Sequence, residues 1–579
     1  MPKQFVHIAL ITGHVLFTFS ITLFAQEIDT TEEAEAYEAY LQDLEGLQLH
    51  LNKAPESALL ELPGLTPDLA WRITAFRPYQ NMHDLRRVPG LTPDLLDQIS
   101  PYLTLTEHPR WQGHLTTRIT RPTSSNNQID HLRVTQRAEI QLGNAISGFI
   151  LTDRDPKEPH WADYLTAHLQ INHKWGQLIV GDVRPEIGQG LLHSRQTRSS
   201  ASLSTIKPRA QNRIANRNST EYGAIRGIHV ATQHRLFTVQ ALYGLIHWDA
   251  DISPDGVVEI RRTESHVSET TIARKDILTE KLATIHLSVG TQQNHIGATV
   301  QKTTFSPAKP QGVATHHFSI NTRAQWHQTT FFGELARTPN AQAFVTGLNW
   351  QKSVFRLHLL LRKYDPQFSS LHGAPIAAYG TPPQNEQGIF WGFTYRATSN
   401  TRFELSLDHH KHIVPEKHPL PNYGHRFRLI YRHRIGKKTT LQLSHSTRKT
   451  RYDPTRTETR ATLNWSHRAL RATSWAARTH VTQLANGFAT GTRIQIGQTY
   501  RLAFWTTAYH IPSYDARIYD FEPDVWGSGT LQTRTGKGRA SGLLLAWSTA
   551  PFRFAARYSF RTTNAQPASS WAIQMELRH

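Results

Sequence analysis

Four histidines crowd one stretch of this chain, "LDHHKHIVPEKH": His409, His410, His412 and His418. Imidazoles at such spacing could hold a transition metal, but ligands must converge in space, and a strand running into a loop sends neighbours to opposite faces. The stretch therefore reads as a polar loop. "GDVRPEIGQG" is glycine-rich, yet it lacks the Lys-Ser/Thr end of a phosphate loop and opens no helix. It reads as a turn or an inward loop at a strand end. Ser, His and Asp are plentiful, but no spacing singles out a nucleophilic triad. The 579 residues include no cysteine, which excludes disulfides, thiolate metal sites and a cysteine nucleophile. No residue is assigned as catalytic, cofactor-binding or metal-ligating, no cofactor is expected, and the chain is read as a non-enzyme.

Arginine offers more chemistry than histidine here. The chain carries a formal charge of +19, divided unevenly. Residues 1–104 hold 6 basic and 14 acidic side chains, leaving the remainder at +27. Many of the later arginines alternate with apolar residues. In "FRFAARYSFR", Phe552, Phe554, Ala556, Tyr558 and Phe560 share one face, with Arg553, Arg557 and Arg561 on the other. "FRLIYRHRI" sets Phe427, Leu429, Tyr431 and Ile435 against Arg428, Arg432 and Arg434. Two-sided alternation over eight or more residues indicates strands.

The elements that must carry those arginines follow. Tight links such as "RIGKKT", "NWQKS" and "STAPF" alternate with long ones such as "DPQFSSLHGAPIAAYGTPPQNEQ" and "IPSYDARIYDFEPDVWGSGTLQTRTGKG". Short and long links in turn are the pattern of an outer-membrane barrel, whose strands of ~9–11 residues cross a bilayer at a tilt. Mean hydropathy is −0.48, which a soluble sandwich, propeller or β-helix would also fit. Export and the lack of a blade-like or solenoid repeat favour the barrel. Residues 106–579 are thus expected to form a large antiparallel transmembrane β-barrel of about 22 strands, within a range of 18–26 and even in number. Arginine facing lipid costs ~2–4 kcal/mol at midplane, so those on barrel strands should face the lumen. A cationic lumen favours anionic solutes. The competing reading places many of the cations in loops and rims, against anionic lipid headgroups.

The N-terminal sixth has a different grammar. Lys3, an apolar run from Ile8 to Phe24 and "LFAQ" read as a secretory signal peptide over residues 1–25, with a membrane anchor as the competing reading. Residues 26–48 form an acidic lead-in without Lys or Arg, readable as a solvated helix or a linker. Residues 49–105 read as small and all-α. "PGLTPDL" occurs twice, at Pro63–Leu69 and Pro89–Leu95. Each copy takes a short helix through a Pro-Gly turn into a second helix, with Thr66 or Thr92 as N-cap, Pro67 or Pro93 at the first helical position, and Asp68 or Asp94 facing the dipole.

"LNKAPESALLELPGL", "ITAFRPY", "MHDLRRVPGL" and "ISPYLTL" closely resemble the double helix-hairpin-helix domain of secreted competence proteins. The resemblance implies DNA binding, with a phosphate met by Gly64, Leu65, Thr66, Gly90, Leu91, Thr92, Arg72 and Arg77. Thr66 and Thr92 replace the second glycine usual in that hairpin. Residues 49–105 also carry five basic and six acidic side chains, a poor balance for DNA. A folding unit or a dock for another periplasmic protein is the preferred reading of this domain. The rest of the chain resembles a group of Bacteroidetes-type outer-membrane barrels preceded by helix-hairpin-helix repeats, through "VGDVRPEIGQGLL" (Val180–Leu192), "STEYGAIRGI" (Ser219–Ile228), and "DARIYDFEPDV" with "GKGR" (Asp515–Val525, Gly536–Arg539). The final "WAIQMELRH" resembles the C-terminal strand by which outer-membrane barrels are recognised for assembly, although His579 stands where Phe or Trp is usual.

Together these readings imply an outer-membrane protein in contact with lipid, its N-terminal domain in the periplasm, serving a channel, transport or assembly role. A competence-like DNA-uptake protein is the alternative, and an outer-membrane hydrolase the second.

Overall fold

A computed structural model describes residues 31–578, apart from 46, 66, 90, 92–94, 97–98, 106–110, 125–130, 144, 196–199, 210–213, 255, 263–265, 380–381, 399, 416–422, 436–438, 450–456, 471–472, 483–486, 497–499, 512–516, 529–530, 550 and 564–566. The expected signal peptide, the end residue His579, and Thr66, Gly90, Thr92 and His418 lie outside the described residues.

From Trp111 onward successive ring strands pair antiparallel, and the last, Ala568–Arg578, returns to pair with the first, Trp111–Ser124; Ile518–Phe521 and Leu531–Arg534 form a separate hairpin between Tyr500–Ile511 and Gly536–Thr549. The sheet therefore closes on itself. Among the described residues the ring has 24 strands, even in number and inside the expected range. A short strand, Val258–Arg261, extends one edge of Phe237–Ile252 beyond the ring.

Alternation fixes what each face presents. On strand Phe552–Thr563, Phe552, Phe554, Tyr558 and Phe560 stand exposed outside, while Ala555, Arg557 and Ser559 are buried inside. Strand Tyr423–Ile435 repeats this with Leu429 and Ile435 outside. Ile573, Met575 and Leu577 of the last strand also face out. At or beside the short turns the outer surface is aromatic, with Trp111, Trp175, Phe237, Trp326, Trp547 and Phe552 all exposed.

A ring of this size encloses more space than wall side chains can fill. The long connections fold into it. Leu191, Leu192 and Ile206 of the connection 184–224, and Phe368 and Ile376 of 365–385, pack on the inward Phe332, Leu360 and Phe390. Val525 and Trp526 pack on Trp505, Leu544, Ala555 and Ala572. "GDVRPEIGQG" is thus an inward loop. Its Gln189 and Leu191 N–H groups donate to Glu334 Oε2 on the wall, at 2.7 and 3.0 Å. Gly188 sits at φ 61°, where a Cβ would lie 2.6 Å from that carboxylate.

The N-terminal segment has its own core, including Leu51, Leu59, Leu62, Leu65, Ile73, Leu85 and Ile99. Leu49–His50 pairs with Leu103–Thr104 and closes it. In the first hairpin, helix Glu56–Leu59 leads through Gly64 at φ 73° into helix Pro67–Ala75, with Pro67 at its first position as expected. The second copy differs. Met82–Arg87 is a 3-10 turn rather than an α-helix. Six residues form only about two 3-10 turns, and Asn81 and Asp84 fix it by a reciprocal cap, Asn81 Oδ1 accepting from His83 N at 3.0 Å and Asp84 Oδ2 from Asn81 N at 3.2 Å.

Candidate functional site

The acidic lead-in forms a helix, Thr31–Leu44, the first of its two expected forms, but inside the barrel rather than in solvent. Gln42, Asp43 and Glu45 are buried against inward arginines and the loop 184–224. Arg137 donates to the Gln42 and Glu45 carbonyls at 3.0 and 2.8 Å, and its guanidinium lies 3.7 Å from the Glu45 carboxylate. Arg118 approaches the same carboxylate at 3.5 Å while donating to Gln574 Oε1 at 2.7 Å and to the Trp526 carbonyl at 2.5 Å. Gly527 follows, and a Cβ there would strike the Glu45 side chain.

Loop 184–224 closes the other side. Arg195 pairs with Asp43 at 2.8 Å. Burial alone would lower its pKa, but Asp43 and Glu61 outweigh burial and hold it above its ordinary value. Ser219 N and Oγ donate to Gln42 Oε1 at 2.8 and 3.1 Å. Arg217 grips Glu139 of the wall through two bonds, of 2.8 and 2.6 Å, and reaches the Glu45 carbonyl at 3.3 Å. The Arg137 and Arg217 guanidiniums also lie over the Phe149 ring, 4.9 and 5.0 Å from its centroid. Higher up, Glu38 stands 3.8 Å from Arg133.

The helical domain seats in the mouth bordered by the short turns. Glu56 accepts from Gln293 at 2.9 Å and from Arg323 at 3.4 Å. Lys207, at the tip of the inward loop, donates to the Leu60 carbonyl at 2.9 Å. Burial pushes its ammonium down to about 8, with Glu61 opposing.

Of the residues that the competence resemblance places on a phosphate, Gly64 forms the positive-φ turn, and Leu65 and Leu91 are buried in the domain core. Arg72 is partly exposed and crosses to the second hairpin, donating to the Pro89 carbonyl at 2.9 Å. Arg77 turns inward. Its Nε donates to the Leu51 carbonyl at 2.8 Å and its terminal nitrogen to that of Ala54 at 2.5 Å. Of the histidine group, His410 and His412 sit against the Tyr379 ring, with centroids 5.0 and 3.9 Å away, while His409 lies on the opposite face of the strand from His410. Among the described residues no three of them come together as metal ligands.

Of the motifs behind the second resemblance, Gly536–Arg539 opens the wall strand Gly536–Thr549, and the others run into the lumen. Val180–Leu192 enters the pore, Ser219–Ile228 leaves it after bonding Gln42, and Asp515–Val525 supplies Val525 to the lumen-side core. Inward arginines were expected from alternation. Their acidic partners on the lead-in were not, because those partners lie 73 to 152 positions away in sequence.

Residues 46–104 match the helix-hairpin-helix motif family. No curated protein matches the chain. Among solved structures, the chain is similar to the P pilus usher PapC translocation pore, at 8% identity, TM-score 0.35, covering 81% of this chain and 99% of that one. It is also similar to the siderophore receptor PirA from Pseudomonas aeruginosa, at 9% identity, TM-score 0.39, covering 82% and 81%. A third is OccK3 (OpdO) from Pseudomonas aeruginosa, at 7%, 0.30, 81% and 95%. At these TM-scores the likenesses carry no weight, and the barrel rests on this chain's own strand pairing.

Proposed function

We propose that this protein is a non-enzymatic outer-membrane transport barrel whose cationic lumen is held closed by its own acidic N-terminal segment. The aliphatic outer face and the aromatic rim beside the short turns support insertion in a bilayer, since aromatic side chains favour the membrane–water interface. The short-turn mouth, where the helical domain sits, then faces the periplasm. The observation that carries the reading is the lead-in itself. Its acidic side chains occupy the position an anionic solute would take among Arg118, Arg137 and Arg195. Displacing the segment would expose those cations to a passing anion.

The full chain reconstituted in a planar bilayer should be closed at rest. The D43N/E45Q double variant should open more often and pass anions in preference to cations. Equal conductance in the two proteins, or cation preference in the variant, would overturn the reading. DNA uptake is the rival, and the helix-hairpin-helix match at residues 46–104 is its support. It requires the full chain in detergent to bind duplex DNA with a steep salt dependence.

A further inference from the structure

A second constellation lies at the opposite end of the barrel, where the long connections meet. Glu158 and Asp163 come from the connection 155–163, Glu221 from 184–224, and His266 from 253–277. One ligand atom from each lies within 4.8 Å of every other. The positions are built rather than accidental. Glu158 accepts from Asp155 N at 2.7 Å and from His266 N at 2.9 Å, which fixes both carboxylate oxygens. His266 bonds Asp249 through Nε2 at 2.8 Å, an outer carboxylate of the kind that fixes the tautomer of a metal-bound imidazole. Its Nδ1 then points at the three acids.

Glu221 is the observation that asks for a ligand. Its side chain is only 10% exposed, and its one ion-pair contact among the described residues is His266 Nδ1 at 3.6 Å, too long for a hydrogen bond. That nitrogen already lies 2.8 Å from Asp163. A buried carboxylate is thus aimed into the cluster with no donor of its own. From Nδ1 the distances to Asp163, Glu221 and Glu158 are 2.8, 3.6 and 4.0 Å. They bracket the edge of about 3.4 Å that a tetrahedral site with bonds of about 2.1 Å requires.

We propose that Glu158, Asp163, Glu221 and His266 bind a divalent transition-metal ion that ties together three of the long connections. One imidazole with three carboxylates suits Zn2+ or Mn2+. Ca2+ prefers six or more oxygens, and Cu(I) prefers sulfur. On binding, the metal takes the Nδ1 lone pair and any proton there leaves to solvent. Lys275, 2.5 Å from Asp163, remains as a neighbouring counter-charge. The ion would anchor the outer end of loop 184–224, the same loop that grips the N-terminal helix deeper in the lumen.

The test uses the folded full chain, stripped with chelator and titrated with Zn2+, Mn2+ or Ca2+ by calorimetry, with bound metal counted by elemental analysis. One equivalent of Zn2+ or Mn2+ is expected, with Ca2+ weaker. E221Q, which keeps size and shape, and H266Q should each weaken binding by about tenfold or more. The heat-modifiable band on a gel reports whether each variant is folded. Should H266Q fail to fold, protection of loop 253–277 from protease by Zn2+ in the wild type, absent in E221Q, carries the same information. No uptake by the wild type, or undiminished uptake by folded E221Q, would overturn the proposal and leave an imidazolium clamp between Asp163 and Asp249.

Discussion

Two sets of inward arginines differ in whether part of their counter-charge comes from outside the wall. Arg362 is fully buried and is answered by the wall. Its Nε donates to Glu386 at 2.6 Å, and its terminal nitrogens donate to Asp408 at 2.7 and 3.1 Å. Those acids sit on neighbouring strands, so this pairing exists whenever the sheet does. Arg118 and Arg137 are also buried, and Arg137 lies 3.7 Å from Glu139 of the wall, but the carboxylate they share, Glu45, belongs to a segment outside the ring. The first arrangement is part of the barrel. The second joins the wall to a separate segment of the chain, and breaking it should leave the barrel folded.

The sharpest way to break this contrast is Arg362→Leu, which strands Glu386 and Asp408 in a buried site. Removing one partner of a buried pair costs about 3–5 kcal/mol, so the heat-modifiable folded form should be largely lost. A variant that folds as well as wild type would erase the distinction. Arg137→Ala should instead leave the barrel intact and loosen the insert by about 1.5–3 kcal/mol, the range for hydrogen bonds to a charged group. Limited proteolysis of the folded protein reads this as new cleavage within residues 31–105, and an unchanged digest would count against this separation. Gly64→Val tests the insert alone. A β-branched residue at φ 73° costs about 1–3 kcal/mol, so the helical domain should melt earlier while the heat-modifiable band stays. The smallest effect belongs to Arg72→Ala, below about 1 kcal/mol for a largely exposed contact. Duplex DNA binding that falls on this change, with the melting curve fixed, would favour the DNA reading.

Much of the wall was legible because alternation is a local signal. Phe552, Phe554, Tyr558 and Phe560 declare an outer face with no knowledge of their neighbours. The hairpin repeat was legible for the same reason, though the 3-10 turn at Met82–Arg87 shows the limit, since so short a piece is set by its cap. Most of the lumen contents were not legible. Only "GDVRPEIGQG" offered an inward reading; the rest of loop 184–224 is polar and rich in Arg and Ser, as a solvent loop would be, and only closure of a wide ring turns it inward. The lead-in's acids read as solvation until Arg137 and Arg195 are placed beside them. The Glu158–His266 cluster unites three connections spread over 108 positions, a span no local pattern covers.

The direction of the N-terminal helix has a mechanical consequence. Glu38 meets Arg133 near the long-loop rim, whereas Glu45 meets Arg137, four residues deeper on the same strand. The helix therefore lies along the pore with its C-terminal end leading toward the short-turn mouth. A pull on the helical domain from that side acts along a stiff helix, so it shears the Glu45, Asp43 and Glu38 fastenings together and meets their combined strength. A load applied sideways at the mouth end would instead peel Glu45 first, then Asp43, then Glu38. The same set of ion pairs is thus strong along one axis and weak across it.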